Sequence, residues 1–172
     1  MILTANKIEK EVEKGNITIT PFNKNCLSKN SYIYHISNLL LEVEEIGDIK
    51  KPVQSKSLTI PNSGLLLEPH KLYLGTTGEV IGSKDYVTSL IGMDKTSKLG
   101  MYVQVTADLG QLGQAHQWTL EIEVIQPLKI YPWTEIGQVT FWKPYGDYNR
   151  NNTEFYSTQN KPHTSMMYKE LN

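Results

Sequence analysis

The feature that most limits the fold of this chain is a succession of short apolar runs, each bounded by Gly, Pro or polar residues. After an N-terminal segment, no second long stretch repeats with the helical period. Many short strands separated by turn residues are typical of a β-barrel or a β-sandwich, so a mainly β domain is predicted. The predicted strands of this part lie at 65–67, 71–76, 87–91, 102–106, 118–125, 128–131 and 139–142.

The N-terminal third of the chain is predicted to form one helix and a few further strands. Thr4 is placed to cap a short helix over 5–14, which Gly15 ends, and an alternating strand over 17–20 follows. The stretch 32–43 is apolar and aromatic enough for one or two strands. Surface loops are predicted over 23–30 and 50–57.

Length and composition favour one domain spanning 1–172, large enough to bury a core. The net charge of −1 gives no electrostatic basis for nucleic-acid binding. The lone Cys26 has no partner for an internal disulfide, which favours the cytoplasm. Charged residues interrupt the N-terminus, and no segment approaches the roughly 20 apolar residues of a membrane span. Neither a signal peptide nor a membrane partner is therefore expected.

One predicted strand carries a candidate catalytic carboxylate. In the run 118–125, Trp118, Leu120 and Ile122 alternate with polar residues, so Glu121 points away from the apolar face. A strand carboxylate that faces water is the commoner arrangement. A strand carboxylate that faces a cavity instead has its pKa raised by desolvation, which suits a general acid or base.

The chain resembles the dCTP deaminase branch of the dUTPase-like superfamily over nearly its whole length. The resemblance rests on motifs that occur in order: Met1-Ile2-Leu3-Thr4, Ile19-Thr20-Pro21-Phe22, Lys98-Leu99-Gly100, Val103-Gln104-Val105-Thr106-Ala107, the strand Thr119-Leu120-Glu121, the turn Ile136-Gly137-Gln138, and the tail Tyr156-x-x-Gln159-x-x-Pro162-x-x-Ser165. It implies a distorted β-barrel or jelly roll with a short N-terminal helix. It also implies a homotrimer whose sites form at subunit interfaces, and Mg²⁺ that enters with the nucleotide phosphates. Residues from about 145 to 172 are expected to form a tail that closes over the nucleotide.

The resemblance implies hydrolytic deamination of a cytosine nucleotide, most simply dCTP to dUTP and ammonia. In this family a glutamate at the position of Glu121 activates the attacking water, without zinc. Consistent with this, no zinc-deaminase constellation occurs in the sequence. The residues expected to bind substrate are Asp94, Lys98, Thr106, Ala107, Gln111, Tyr148, Tyr156 and Gln159.

Several positions depart from the family pattern. In the phosphate loop Met93 replaces an arginine, Asp94 stands where a hydroxyl is expected, and Lys98 keeps only the charge of a second arginine. A carboxylate at Asp94 would repel phosphate. Gln111 replaces the acid of an Asp-x-Gly-x-x-Gly loop, which removes support for cleavage of dUTP, although its amide can still bond a sugar hydroxyl. Ile33 and Phe155 replace two further polar residues.

The four histidines are scattered at positions 35, 70, 116 and 163, so a structural or surface role is more plausible for each than metal binding. His116 differs from the others because it lies just before the Glu121 strand, where it can line the same pocket.

Three functions remain open at this point. The chain is a dCTP deaminase, an enzyme shifted to a lower phosphate or a modified cytosine nucleotide, or a non-catalytic module that binds a nucleotide or a protein. Retention of Glu121 favours the first, loss of phosphate donors favours the second, and the combined departures at Ile33, Asp94 and Gln111 favour the third.

Overall fold

The computed structural model describes residues 1–44, 48–103, 107–147 and 160–171. Two α-helices occur in this part, α1 (Ala5–Glu13) and α2 (Asp94–Ser97), with 3₁₀ turns at Lys24–Cys26 and Met167–Lys169. The strands are β1 (Ile17–Thr20), β2 (Leu27–Ser28), β3 (Ser31–His35), β4 (Leu39–Val43), β5 (Ser55–Thr59), β6 (Leu65–Leu67), β7 (Tyr73–Thr76), β8 (Val80–Ser83), β9 (Val87–Gly92), β10 (Met101–Val103), β11 (Ala115–His116), β12 (Thr119–Val124), β13 (Leu128–Ile130) and β14 (Glu135–Trp142).

The strands form small antiparallel sheets that share one core. The largest has the order β10-β12-β7-β4-β5, and a second has the order β2-β3-β14-β9. A three-stranded sheet has the order β1-β8-β11, and β6 pairs with β13. The mainly β architecture with a short N-terminal helix is therefore confirmed.

The core lies between these sheets and is built from side chains on alternate strand positions. Leu120 and Ile122 of β12 are fully buried, as are Tyr32 and Tyr34 of β3 and Phe141 of β14. Burying large apolar side chains of this kind contributes roughly 1.5–3 kcal/mol each. Packing rather than local propensity therefore fixes these short strands.

Several expectations about local structure need correction. The helix matches its prediction, but the Thr4 side chain makes no capping hydrogen bond. Part of the predicted loop 50–57 belongs to β5, which pairs along its whole length with β4. The Ile136-Gly137-Gln138 segment is not a turn but lies inside β14. The strands β8 and β11 were not predicted.

Gly137 occupies a strand interior because a neighbouring ring leaves no room for a side chain. A Cβ at this position would collide with the phenol of Tyr34 and with the carbonyl oxygen of Ile91 on β9. The register of β14 against β3 also shifts between Glu135 and Gly137, which marks a local bulge. Here glycine lets the Tyr34 ring approach the backbone of β14 closely, and it does not mark a reversal of the chain.

In the described part of the chain, no helix has both the length and the hydropathy needed to cross a membrane.

We predict that Gly82→Ala destabilises the fold. Gly82 lies in β8 between β1 and β11, and an alanine Cβ would overlap the Gln114 carbonyl oxygen and lie 2.5 Å from the Cα of Ala115. Overpacking against backbone typically costs about 1–3 kcal/mol. Gly92→Ala is the matched control, because its Cβ would meet nothing closer than 3.7 Å. Thermal unfolding should show a lower midpoint for Gly82→Ala only, and equal midpoints would contradict this.

Candidate active site

A pocket of about 490 Å³ lies beside β12 and is lined by both apolar and polar side chains. Its apolar lining residues are Val43, Val53, Leu72, Leu74, Ala107, Leu109 and Trp118. Its polar lining residues are Gln111, Gln114, His116, Thr119, Glu121, His163, Thr164 and Ser165. Glu121 is the one carboxylate among the described lining residues. An apolar pocket with a few convergent polar groups is the usual form of a small-molecule site.

Glu121 reaches this pocket because β12 alternates between the core and the cavity. Leu120 and Ile122 on either side of it point into the core, while Thr119 and Glu121 line the pocket. Glu121 lies opposite Leu74 of β7, another lining residue. Burial beside this apolar surface raises the pKa of the Glu121 carboxyl above its ordinary value. Its environment therefore fits a proton-transferring carboxylate better than a solvent-facing one.

Exposed Glu123 shows that the two glutamates of this strand have different surroundings. Both occupy positions on the polar side of the alternation, but Glu123 is exposed and is not part of the pocket wall. The strand pattern alone could not separate them.

The loop from 107 to 114 is fixed against β8 and β9, and it carries Gln111 to the pocket. Leu90 donates its N–H to the Asp108 carbonyl at 2.8 Å, and Gly110 donates to the Thr88 carbonyl at 2.8 Å. Gly113, which has a left-handed φ of 86°, donates to the Ser83 carbonyl at 2.8 Å. Ala107 and Gln111, both predicted to bind substrate, therefore lie in the same pocket as Glu121.

Trp118 was predicted to belong to the apolar face of its strand, but it also forms part of the pocket wall. Its indole Nε1–H donates to the Ile81 carbonyl at 2.9 Å, and its own backbone N–H donates to Thr77 Oγ1 at 2.9 Å. A Cβ at Gly110 would lie 2.5 Å from the indole Cη2. The absence of a side chain at Gly110 therefore makes room for the ring.

His116 lines the pocket, as its position in the sequence predicted. The side chain is buried, and its ring packs at a tilt against Trp118 with the ring centroids 4.2 Å apart. His35, by contrast, has its Nδ1 2.6 Å from buried Glu79 and stacks on Trp133, so it has a structural role.

Residues from Asn160 onward contact the pocket region, and the sequence did not predict that His163 lines the pocket. Asn160 Oδ1 accepts a hydrogen bond from the backbone N–H of Gln117 at 3.2 Å. Pro162 is buried, and His163 and Ser165 line the pocket. Burial lowers the pKa of the His163 imidazole, and the nearby His116 adds to this effect. In the sequence, only the motif positions Pro162 and Ser165 indicated that this segment lies near the pocket.

Asp94 and Lys98 do not lie in the Glu121 pocket of their own chain. They belong to α2 and its end, and Asp94 lines a separate recess with Met93, Ser97 and Tyr102. The Lys98 ammonium donates to the Asp94 carboxylate at 3.1 Å, and this bond lowers the pKa of the Asp94 carboxyl. Each charge is therefore compensated by the other at the protein surface.

Four predicted substrate-binding residues lie outside the described residues: Thr106, Tyr148, Tyr156 and Gln159.

Within the described ranges, no cluster of three or more His, Cys, Asp or Glu side chains is arranged to hold a metal ion. The pocket wall contains two histidines, His116 and His163. Glu121 is the one acidic side chain among the described residues of the same wall.

Comparison with known proteins places this architecture in a defined group. A family model described as dCTP deaminase-like matches residues 2–144. A Clostridium botulinum protein named "dCTP deaminase, dUMP-forming" is 42% identical over 172 residues, covering 99% of both chains. A protein of the same name from Clostridium beijerinckii is 40% identical with the same coverage. A Rhodopirellula baltica protein named dCTP deaminase is 36% identical and is covered over 86% of its length.

A solved structure has a similar fold at much lower sequence identity. The 2′-deoxycytidine 5′-triphosphate deaminase from Agrobacterium tumefaciens superposes with a TM-score of 0.67 at 14% identity. The match covers 86% of this chain but only 50% of that one. This likeness supports the fold alone.

The raised pKa of Glu121 predicts that Glu121→Gln stabilises the protein at neutral pH. Because the folded-state pKa lies above the unfolded value of 4.5, burying the ionised carboxylate costs stability at pH values above the folded pKa. Below 4.5 the carboxyl is protonated in both states and the cost disappears. Chemical denaturation should therefore show a stability gain for Glu121→Gln at pH 8 that shrinks by pH 4. Glu123→Gln, at an exposed position on the same face of the strand, is the control, and an equal gain in both variants would argue against the role of burial.

Proposed function

This chain belongs to the dCTP deaminase-like family, and we propose that it hydrolytically deaminates dCTP in the pocket that contains Glu121. The observation that carries the proposal is the burial of Glu121 in the wall of a pocket whose size suits a small molecule. Relatives that are about 40% identical over their full length carry dCTP deaminase in their names, which supports cytosine nucleotide deamination over a non-catalytic role.

Glu121 is proposed to act as a general base and then as a general acid. The carboxylate accepts a proton from a water molecule, and the oxygen of that water bonds to C4 of the cytosine ring. The same carboxyl returns that proton to the departing amino group, and the C4–N bond breaks to release ammonia. The second proton of the water moves from the C4 oxygen to ring N3 as the C4 carbonyl forms. A carboxyl with a raised pKa is suited to both transfers, because it is closer in basicity to the groups that exchange the proton. The apolar side chains beside it partly desolvate the carboxyl, which is what raises its pKa.

The product requires a correction to the expectation drawn from the sequence. Gln111 in place of an acid argued against cleavage of the triphosphate, and dUTP was the expected product. Relatives that match the whole chain are instead named dUMP-forming, so we propose dUMP as the product. Conversion of dCTP to dUMP, ammonia and pyrophosphate consumes one water at C4 and one at phosphorus. Gln111 itself cannot serve as a base, and Glu121 is the only acidic residue of the described pocket wall.

The first experiment measures ammonia release from cytidine and deoxycytidine and their mono-, di- and triphosphates, with Mg²⁺ present, and identifies the uridine product by chromatography. We expect release from dCTP with dUMP as the product. Glu121→Gln should lower turnover at least ~100-fold, because general acid–base catalysis commonly contributes 10²–10⁴-fold, while leaving the fold intact. Glu123→Gln should leave turnover unchanged.

Each alternative outcome of this assay has a distinct meaning. Release from a lower phosphate only would support a shifted substrate. Full activity in Glu121→Gln would show that Glu121 is not the general base. No ammonia release from any nucleotide would favour the non-catalytic binding module. A product that stays dUTP would restore the original expectation from Gln111.

We also propose that the functional unit is a homotrimer in which α2 of one copy completes the Glu121 pocket of another. Two features support this. Within one chain, α2 and Glu121 line separate recesses. The surface around α2 and the adjoining strand ends also exposes large apolar side chains, with Leu99 53%, Tyr102 44% and Ile125 62% accessible. Mg²⁺ is expected to arrive bound to the phosphates as part of the substrate, and the cell compartment is expected to be the cytoplasm.

If α2 reaches a neighbour's nucleotide, Asp94→Ser should tighten triphosphate binding roughly tenfold, because it removes a repulsive charge and releases Lys98 from its ion pair. Glu9→Gln is the control, since it removes one charge from a surface ion pair on α1. Calorimetric titration in the Glu121→Gln background measures the affinity, and light scattering measures the molar mass of the assembly. Unchanged affinity would place Asp94 outside any nucleotide site.

A further inference from the structure

The imidazole of His116 is a buried polar group in the pocket wall that the proposed deamination does not use. The residue lies in β11 and is only 6% exposed. In the Asp-x-Gly-x-x-Gly motif that Gln111 begins, the matching position is a glycine, so the ring adds a functional group to this pocket.

One hydrogen bond fixes which ring nitrogen carries the proton. His116 Nδ1 lies 3.0 Å from the backbone carbonyl oxygen of Gln117. A carbonyl oxygen only accepts, so Nδ1 must donate. In the neutral ring the other nitrogen, Nε2, is therefore an acceptor with a free lone pair.

That second nitrogen lacks a donor. Nε2 is closed to solvent and has no hydrogen-bond partner among the residues that the structure describes. Burying an acceptor without a donor is unfavourable, and such groups in native proteins usually meet water, a ligand or another protein group. Because His116 forms part of the pocket wall, a ligand in the pocket lies beside the ring and is a source of such a donor.

The chemistry of a nucleotide limits which of its groups can supply that donor. Phosphate oxygens that are ionised only accept, so they cannot bond to the neutral Nε2. The donors of a cytosine deoxynucleotide are its sugar hydroxyl and the exocyclic amino group of the base. Both belong to the nucleoside part of the molecule.

We propose that His116 is a specificity-determining residue, whose Nε2 accepts a hydrogen bond from the sugar hydroxyl or the amino group of the bound nucleoside. This inference rests on the proposed function, because it places a cytosine nucleotide in the Glu121 pocket. Nε2 has almost no accessible surface in the present arrangement, so the bond requires neighbouring side chains to move when the nucleotide binds.

A double-mutant cycle between the protein and the ligand tests the proposal. Binding is measured by calorimetry at pH 8 in the Glu121→Gln background. The ligands are dCTP, 2′,3′-dideoxycytidine triphosphate, which lacks the 3′-hydroxyl, and the 2′-deoxy triphosphate of pyrimidin-2-one, which lacks the amino group. The variant His116→Phe keeps a ring against Trp118 but removes both nitrogens. His116→Leu repeats the cycle if the Phe variant unfolds at a lower temperature.

We expect His116→Phe to weaken dCTP binding about tenfold, which corresponds to one lost hydrogen bond. One of the two analogues should bind the parent about tenfold more weakly than dCTP does. The same analogue should bind the His116→Phe variant as tightly as dCTP binds that variant. If that analogue is the dideoxy compound the donor is the hydroxyl, and if it is the pyrimidinone the donor is the amino group. The exposed residue His70, changed to Asn, should leave all three affinities unchanged.

Two results would overturn the inference while leaving the proposed function intact. In the first, His116→Phe binds dCTP as tightly as the parent. In the second, it loses the same factor for all three ligands, which indicates a structural role. A parent that binds no nucleotide at all would overturn the proposed function and this inference together.

Discussion

The pairing of β12 between β7 and β10 is the constraint on which the rest of the site depends. Because β12 is an interior strand, its register is held from both sides, with Glu121 opposite Leu74 and Ile122 opposite Val103. A slip of one residue would turn Leu120 and Ile122 into the cavity and Glu121 into the core. The apolar residues that stabilise the sheet therefore also determine where the carboxylate points.

The same arrangement accounts for the chemical state of the carboxylate. One side of Glu121 is bounded by strand side chains such as Leu74, and the pocket wall beyond includes Val43 and Leu72. Desolvation by this surface raises its pKa, while Glu123, two residues away, remains exposed. The difference between a surface glutamate and a proton-transfer group thus arises from the strands packed around it, not from the strand that carries it.

Much of the fold could be predicted from sequence, but several individual contacts that build the pocket could not. The α1 helix, β1 and β12 have clear local periodicity, and their prediction was confirmed. Short strands such as β8 and β11 have no period of their own, because pairing with distant segments forms them. Gly137 was mistaken for a turn residue, since the close approach of Tyr34 that requires it comes from a distant part of the chain. Likewise His163 reaches the pocket through a contact between Asn160 and Gln117 that local sequence does not encode.

The packing of Trp118 against Gly110 has a consequence for how this pocket can vary among related chains. A Cβ at position 110 would collide with Thr88 Oγ1 and lie 2.5 Å from the indole, so the large ring and the missing side chain occupy one shared volume. A side chain at position 110 therefore requires changes at both Thr88 and Trp118, because each of them already occupies the space that its Cβ would need. The three positions are therefore sterically coupled, and the shape of the pocket wall cannot be changed at position 110 alone.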